Sequence, residues 1–206
     1  MVNRALCVLA LLVVPLSFGQ QSALSPRVGT FSKPVAGLSC PDDGSPDITA
    51  NLSTTQAFGE IAAYRFHGFF YTPSTTKQLC KVGFKLKTGT GDVSGKTYTA
   101  YVYTLSGTTL SSVISDGTSA GVSGSVITGT AATVIFTFSG NPTLSSGTTY
   151  AIVVTPGSTD ASNYCLGYYG SGSMADASFG LWRDNLQNSY NPLGTADCSA
   201  SLYWYD

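Results

Sequence analysis

Charge is what this sequence has least of. Asp, Glu, Lys and Arg make up 10 % of its 206 residues, the formal net charge is −1, and there is one histidine, His67, and one glutamate, Glu60. So few basic residues argue against nucleic acid, which wants a basic stripe, and against attachment to an anionic membrane surface. With one histidine, any Ser/His/Asp triad has to use His67. That residue falls mid-strand beside Arg65, and the chain has no G-x-S-x-G nucleophile turn, so His67 reads as a structural or surface histidine. With one glutamate, a glycosidase pair has to come from two aspartates or from Glu60 and an aspartate. Asp176, Asp184 and Asp197 share the late loops, but capping and turn roles account for them equally well. No enzyme is expected, and no cofactor is implied.

Long apolar runs, helical periodicity and close cysteine pairs are also missing. The apolar run from Leu6 to Leu16 is broken by Pro15 and falls short of the roughly 20 residues that a membrane span needs. Arg4 precedes it and the small-x-small Ser17-Phe-Gly19 follows. It reads as an export signal over residues 1–19, leaving a secreted, soluble mature chain that starts at Gln20 and has no membrane contact after cleavage. Cys7 falls within this leader. The other four cysteines, Cys40, Cys80, Cys165 and Cys198, form an even set. In an oxidising compartment that predicts two disulfides, for which three connectivities exist. Cys40–Cys80 and Cys165–Cys198 are favoured, because each pair ties an irregular segment to a nearby strand end. No C-x-x-C spacing points to zinc.

What the chain does have is Gly, Ser and Thr in quantity and apolar residues at a period of two. After the Ser145-Ser-Gly147 turn, Tyr150, Ile152 and Val154 alternate with Ala151 and Val153, the mark of a central strand covered on both faces. Thr133 to Phe138 is a strand before it, and Asn141-Pro142 begins the turn between them. Leu79 to Lys87 alternates cleanly, with Val82, Phe84 and Leu86 inward and Lys81, Lys85 and Lys87 outward. The lysines read as a solvated face or as edge protection. Further strands are expected over Ile61–Tyr71, Lys96–Leu105, Asn163–Tyr169 and Ser201–Tyr205. Residues 106–131 read as short strands or one long loop, and 170–196 as irregular.

The domain organisation that follows is a signal peptide over 1–19, an irregular lead-in over 20–57 and a β-domain over 58–206. Within the lead-in, Asp42, Asp43 and Asp47 crowd one turn. They bond their own backbone or, alternatively, hold an extracellular calcium ion, though the spacing does not fit an EF-hand loop. Asn51-Leu-Ser53 is a glycosylation sequon, relevant in a glycosylating host.

The motifs Gln56-Ala-Phe58, Leu79-x-x-Val82-x-Phe84-x-Leu86, Val102-Tyr103 and Phe136-x-Phe138 leading into Leu144-x-x-Gly147-Thr-x-Tyr150-x-Ile152-Val153 occur in that order. Trp182, Asp197 and the terminal Leu202-Tyr203-Trp204-Tyr205 follow. Over roughly residues 55–206 this order resembles the secreted bacterial and phage domains of the choice-of-anchor type. The resemblance implies an all-β fold, a single antiparallel sandwich of jelly-roll type, and no assigned function. The four cysteines depart from it. So does the lack of a C-terminal sorting segment, so wall or membrane anchoring is not expected.

One constellation suits a ligand. Tyr168, Tyr169, Phe179, Trp182 and Tyr190 share a Gly-rich region with Asp176, Asp184, Asn185 and Asn188. Sugar rings pack their apolar faces on aromatic rings, and their hydroxyls need amide and carboxylate partners. Trp182, Tyr168, Tyr169, Asp184 and Asn185 are therefore candidate ligand residues, against the alternative that the aromatics cap the open end of the sandwich as a secondary core. The expected function is a secreted, non-catalytic module binding a glycan or surface polymer, or adhesive. The alternative is a structural, self-associating extracellular or virion surface protein.

Overall fold

A computed structural model describes residues 40, 54–171, 177–182 and 196–204. Period-two segments become strands: β1 (Thr54–Phe58), β2 (Phe66–Tyr71), β3 (Lys77–Thr90), β4 (Thr97–Ser106), β5 (Thr109–Thr118), β6 (Val122–Ser123) and β7 (Ala132–Thr137). They continue with β8 (Thr143–Leu144), β9 (Tyr150–Pro156), β10 (Tyr164–Ser171), β11 (Ala177–Trp182), β12 (Ala196–Cys198) and β13 (Ala200–Trp204). Two antiparallel sheets pack face to face as a β-sandwich. The first has the order β1-β10-β3-β13, with β7 and β8 on β3 and β12 on β10; the second runs β11-β2-β9-β4-β5, with β6 on β4.

The core between the sheets takes one parity from each strand. Val82, Phe84 and Leu86 of β3 and Phe136 of β7 meet Phe69 of β2, Val102 of β4 and Ile152 and Val154 of β9. Phe84, Phe136 and Ile152 are fully buried, as their strand parity predicts. β9 is buried at every position, which explains its apolar residues at both parities.

Several expectations are corrected. β7 and β9 do not pair: β7 lies on β3 in the first sheet, while β9 lies between β2 and β4 in the second, so residues 138–149 cross between sheets. Residues 62–64 form a 3-10 turn, so the strand expected from Ile61 starts at Phe66. Residues 106–131 contain β5 and β6, and the stretch read as irregular after residue 170 contains β11. β1 begins at Thr54, across the expected domain start at 58, and pairs with β10 along its length.

β3 is the longest of the described strands and organises the first sheet. Its residues 81–84 are flanked by β7 on one edge and β13 on the other, and its end pairs with β10. β10 and β3 part beyond the Gly167–Leu86 pair, and the segment 196–204 fills the opening. β12 descends along β10 to Cys198, opposite Tyr169, and β13 returns along β3 from Ala200, opposite Phe84. Ser199 is the apex: its N–H donates to the Tyr168 carbonyl at 2.8 Å, and its carbonyl accepts from the Lys85 N–H at 2.9 Å.

Candidate functional site: the two outer faces and the buried thiols

Alternation that fills the core at one parity leaves the other parity on the outer faces. On the first sheet that parity is polar. Lys81, Lys85 and Lys87 project from β3, spanning about 20 Å of strand at about 3.3 Å per residue. Thr133 and Thr137 of β7 lie opposite Lys85 and Lys81, and Tyr203 of β13 lies opposite Lys81 on the other edge. Gly83 interrupts the lysine row. A Cβ there would come within 2.7 Å of the Thr133 methyl and 2.9 Å of Ile135 Cδ1, so the neighbouring side chains already occupy that position. Since β3 has neighbours on both edges, the lysines do not serve edge protection.

Tyr168 joins this row from β10. Its ring is half-buried, with the Lys85 ammonium 4.7 Å and the Lys87 ammonium 5.9 Å from its centroid. The strand geometry sets this up: Lys87 pairs with Leu166, two residues before Tyr168 on the same face. Tyr169 points the other way and packs against the core. Trp182 belongs to the second sheet, its Cα registered opposite Phe66 of β2. The structure therefore does not bring Trp182, Tyr168 and Tyr169 together on one face. Asp184 and Asn185 lie outside the described residues, as do Asp42, Asp43, Asp47 and Asn51.

The outer face of the second sheet is apolar. Phe66, Tyr103, Leu110, Ala151 and Val153 form a second buried cluster, with Phe70, Tyr101, Leu105 and Val113 partly exposed around it. Phe66 and Tyr103 meet edge to face at 6.2 Å, and the Arg65 guanidinium lies 5.6 Å from the Phe66 centroid. Arg65 is itself held by Thr155 Oγ1 at 3.3 Å and the Gly157 carbonyl at 3.1 Å. Burial raises the Tyr103 phenol, the neighbouring Tyr101 raises it further and Arg65 opposes the shift.

The sole histidine is interior. His67 is fully buried, stacks on Phe58 at 5.2 Å, and burial lowers its pKa to about 3. Its Nε2 lies 3.3 Å from Cys198 Sγ, and its ring covers Gly167, where a Cβ would sit 2.4 Å away. Cys165 donates its thiol to the Tyr98 hydroxyl at 3.0 Å, and burial pushes that thiol up to about 11.

These two cysteines are buried thiols with no disulfide between them, which corrects the expected Cys165–Cys198 bond. Cys198 is registered opposite Tyr169, four residues or about 13 Å along β10 from Cys165. Bridged cysteines need Cα atoms within about 7 Å. The Cys40–Cys80 disulfide is present, with Cα atoms 5.6 Å apart.

The described aspartates outside these strands hold turns. Asp92 and Asp160 carboxyls are lowered first by hydrogen bonds, from Ser94 to Asp92 and from Asn163 to Asp160. Lys96 meets Asp160 at 4.0 Å and donates to the Asn163 carbonyl. Among the described residues no three His, Cys, Asp or Glu side chains converge as metal ligands, and no helix is long and apolar enough to cross a membrane.

The grouping of Tyr168 with Lys85 and Lys87 was hidden in the sequence, since β3 and β10 are far apart in the chain. The only local signal was the outward parity of the lysines and of Tyr168 within their own strands. No protein-family model matches the chain, and no curated protein matches it in sequence.

Proposed function

We propose that the chain is an exported, non-catalytic binding module for carbohydrate, whose ligand surface is the outer face of the first sheet around Tyr168. The observation that carries this is the half-buried Tyr168 ring held beside two lysine ammoniums on a central strand. An aromatic ring fixed by its neighbours offers an apolar surface to the C–H face of a sugar, and adjacent ammoniums and threonine hydroxyls supply donors for its oxygens. The export signal and the resemblance to secreted jelly-roll domains belong to the same proposal. Trp182, in the other sheet, then serves no part of this site.

Screening the signal-free chain and Tyr168→Ala on a glycan array tests it. Binding by the first and loss in the second, with an unchanged melting temperature, is expected. An array on which the native chain recognises no glycan would reject the proposal.

A structural, self-associating role has its own observation in the partly exposed Phe70, Tyr101, Leu105 and Val113 of the second sheet, an apolar patch of the kind that marks interaction surfaces. Light scattering separates the two: a monodisperse monomer fits a binding module, and large species fit assembly.

A further inference from the structure

We infer that the open edge of β7 pairs with the same edge of a second copy of this chain, joining two first sheets into one continuous sheet about a two-fold axis. β7 bonds to β3 alone and is therefore an edge of its sheet. The ladder fixes which of its backbone groups look outward, because alternate residues of an antiparallel pair exchange hydrogen bonds. Phe138 donates to the Cys80 carbonyl at 2.9 Å, and Lys85, registered opposite Thr133, donates to Ser199 on its other edge. Phe138, Phe136 and Val134 thus bond toward β3, while Thr133 and Ile135 turn their N–H and C=O groups to the free side. Ala120 takes the Thr137 carbonyl at 2.9 Å and closes one end of that side. Among the described residues nothing bonds the outward groups of Thr133 and Ile135.

A bare edge is a template for another strand, and proteins ordinarily block it with charge, proline or bulges. β5, at an edge of the second sheet, is blocked in this way: its register slips twice and it carries Asp116. β7 has none of these devices. Its register runs unbroken, it holds no proline, and no Asp, Glu, Lys or Arg occurs between Gly117 and Thr159. Thr133, Val134, Ile135 and Thr137 are β-branched, and Ile135 is 37 % exposed, one of the few large apolar side chains left open.

A second copy is the occupant because the strand is complementary to itself. Antiparallel pairing centred on Val134 sets Thr133 opposite Ile135 of the second copy, and Ile135 opposite its Thr133. Each of these pairs exchanges N–H···O bonds and brings β-branched side chains together on the outer face. The two Val134 side chains meet on the inner face. The lysine rows of the two β3 strands stay three strand spacings apart, about 14 Å, beyond the Debye length of about 8 Å. The axis stands perpendicular to the sheet, so both outer faces, each with its Tyr168, look the same way. Two-fold symmetry closes the assembly at two, and so short a contact makes the dimer weak.

The test is sedimentation equilibrium of the signal-free chain from about 10 μM to about 1 mM, the range in which a small interface is populated. The apparent mass should rise toward twice that of the monomer. Ile135→Pro removes an outward N–H and leaves the β3 ladder intact, and Ile135→Lys puts a charge on the edge. Both variants should stay monomeric throughout, and Ile135→Lys decides the matter if the proline variant fails to fold. A native chain that stays monomeric at every concentration would overturn the inference, as would a dimer that Ile135→Lys retains. Growth beyond two copies would overturn the closed two-fold contact in favour of open assembly. The glycan array does not depend on this dimer, so the two proposals fail separately.

Discussion

The two sheets use the same alternation and turn opposite surfaces outward. On β3, Val82, Phe84 and Leu86 enter the core while Lys81, Lys85 and Lys87 stay outside. On β9, Tyr150, Ile152 and Val154 enter the core while Ala151 and Val153 support a second apolar cluster under Phe66 and Tyr103. An outward lysine can lay its stem along the sheet and still keep its ammonium at the surface. An outward valine requires further side chains to cover it, so the second sheet thickens outward, whereas the outer positions of β3 stay partly exposed. The first sheet therefore has a surface suited to polar recognition, and the second has a surface suited to packing.

The inner core is the reference for breaking that contrast. Phe136→Ala, in fully buried surroundings shared by both sheets, should cost about 3–5 kcal/mol by denaturant unfolding. A loss below about 1 kcal/mol would place Phe136 outside the core.

Next in size is an acid effect. The folded state keeps His67 neutral down to about pH 3, while the unfolded chain takes the proton near the ordinary imidazole value of 6.5. Between these values the unfolded state binds more protons, so stability is full above pH 6.5 and falls as the pH drops. The slope is about 1.4 kcal/mol per pH unit, or about 3 kcal/mol at pH 4. His67→Gln should flatten this part of the pH–stability profile whatever its effect at pH 7; an unchanged slope would mean that His67 is not buried neutral. Cys198 beside it should resist alkylation in the native protein. Denaturation of the signal-free chain without reductant should expose two thiols, whereas a Cys165–Cys198 bond would leave none.

Phe66→Ala tests the second cluster and should cost less than Phe136→Ala, about 1–3 kcal/mol. Equal losses would show that the outer cluster is as much a core as the inner one. The smallest effect belongs to the first sheet's surface. Lys85→Gln should change stability by less than about 1 kcal/mol, because a partly exposed cation that is screened by solvent contributes little to folding. A larger loss would show that the lysine row holds the sheet together and would weaken its assignment to a ligand.

Strands were legible where a single face decides the pattern. Leu79 to Lys87 announced both its parity and its solvated side, and Tyr150 to Val154 announced that it is covered on both faces. Partner choice was not legible. Thr133–Phe138 and Tyr150–Val154 are neighbours in sequence and were joined by an Asn-Pro turn, yet their hydrogen-bond partners, β3 for one and β2 and β4 for the other, lie in different sheets. Even cysteine number likewise carries no register: Cys165 and Cys198 share a sheet and miss each other by four residues of β10. His67 was read as a structural or surface histidine, and of the two it is the structural one. The structure buries both it and its neighbour Phe66, one on each face of β2, which a rule of one wet face per strand does not allow for.

The Ser199 apex has a consequence in time. Phe84 waits for Ala200, and Thr54 for Tyr169, so the sheet carrying Tyr168 and the lysines closes only by pairing segments from opposite ends of the domain. Loops of that span are slow to close, and proteins dominated by such distant contacts fold in milliseconds to seconds. During synthesis the lysines of β3 emerge early, but residues 196–204, which join β10 to β3, emerge late. The face proposed to bind thus closes only once residues 196–204 are in place, and a nascent chain that has not reached them would lack the Ser199 link between β10 and β3.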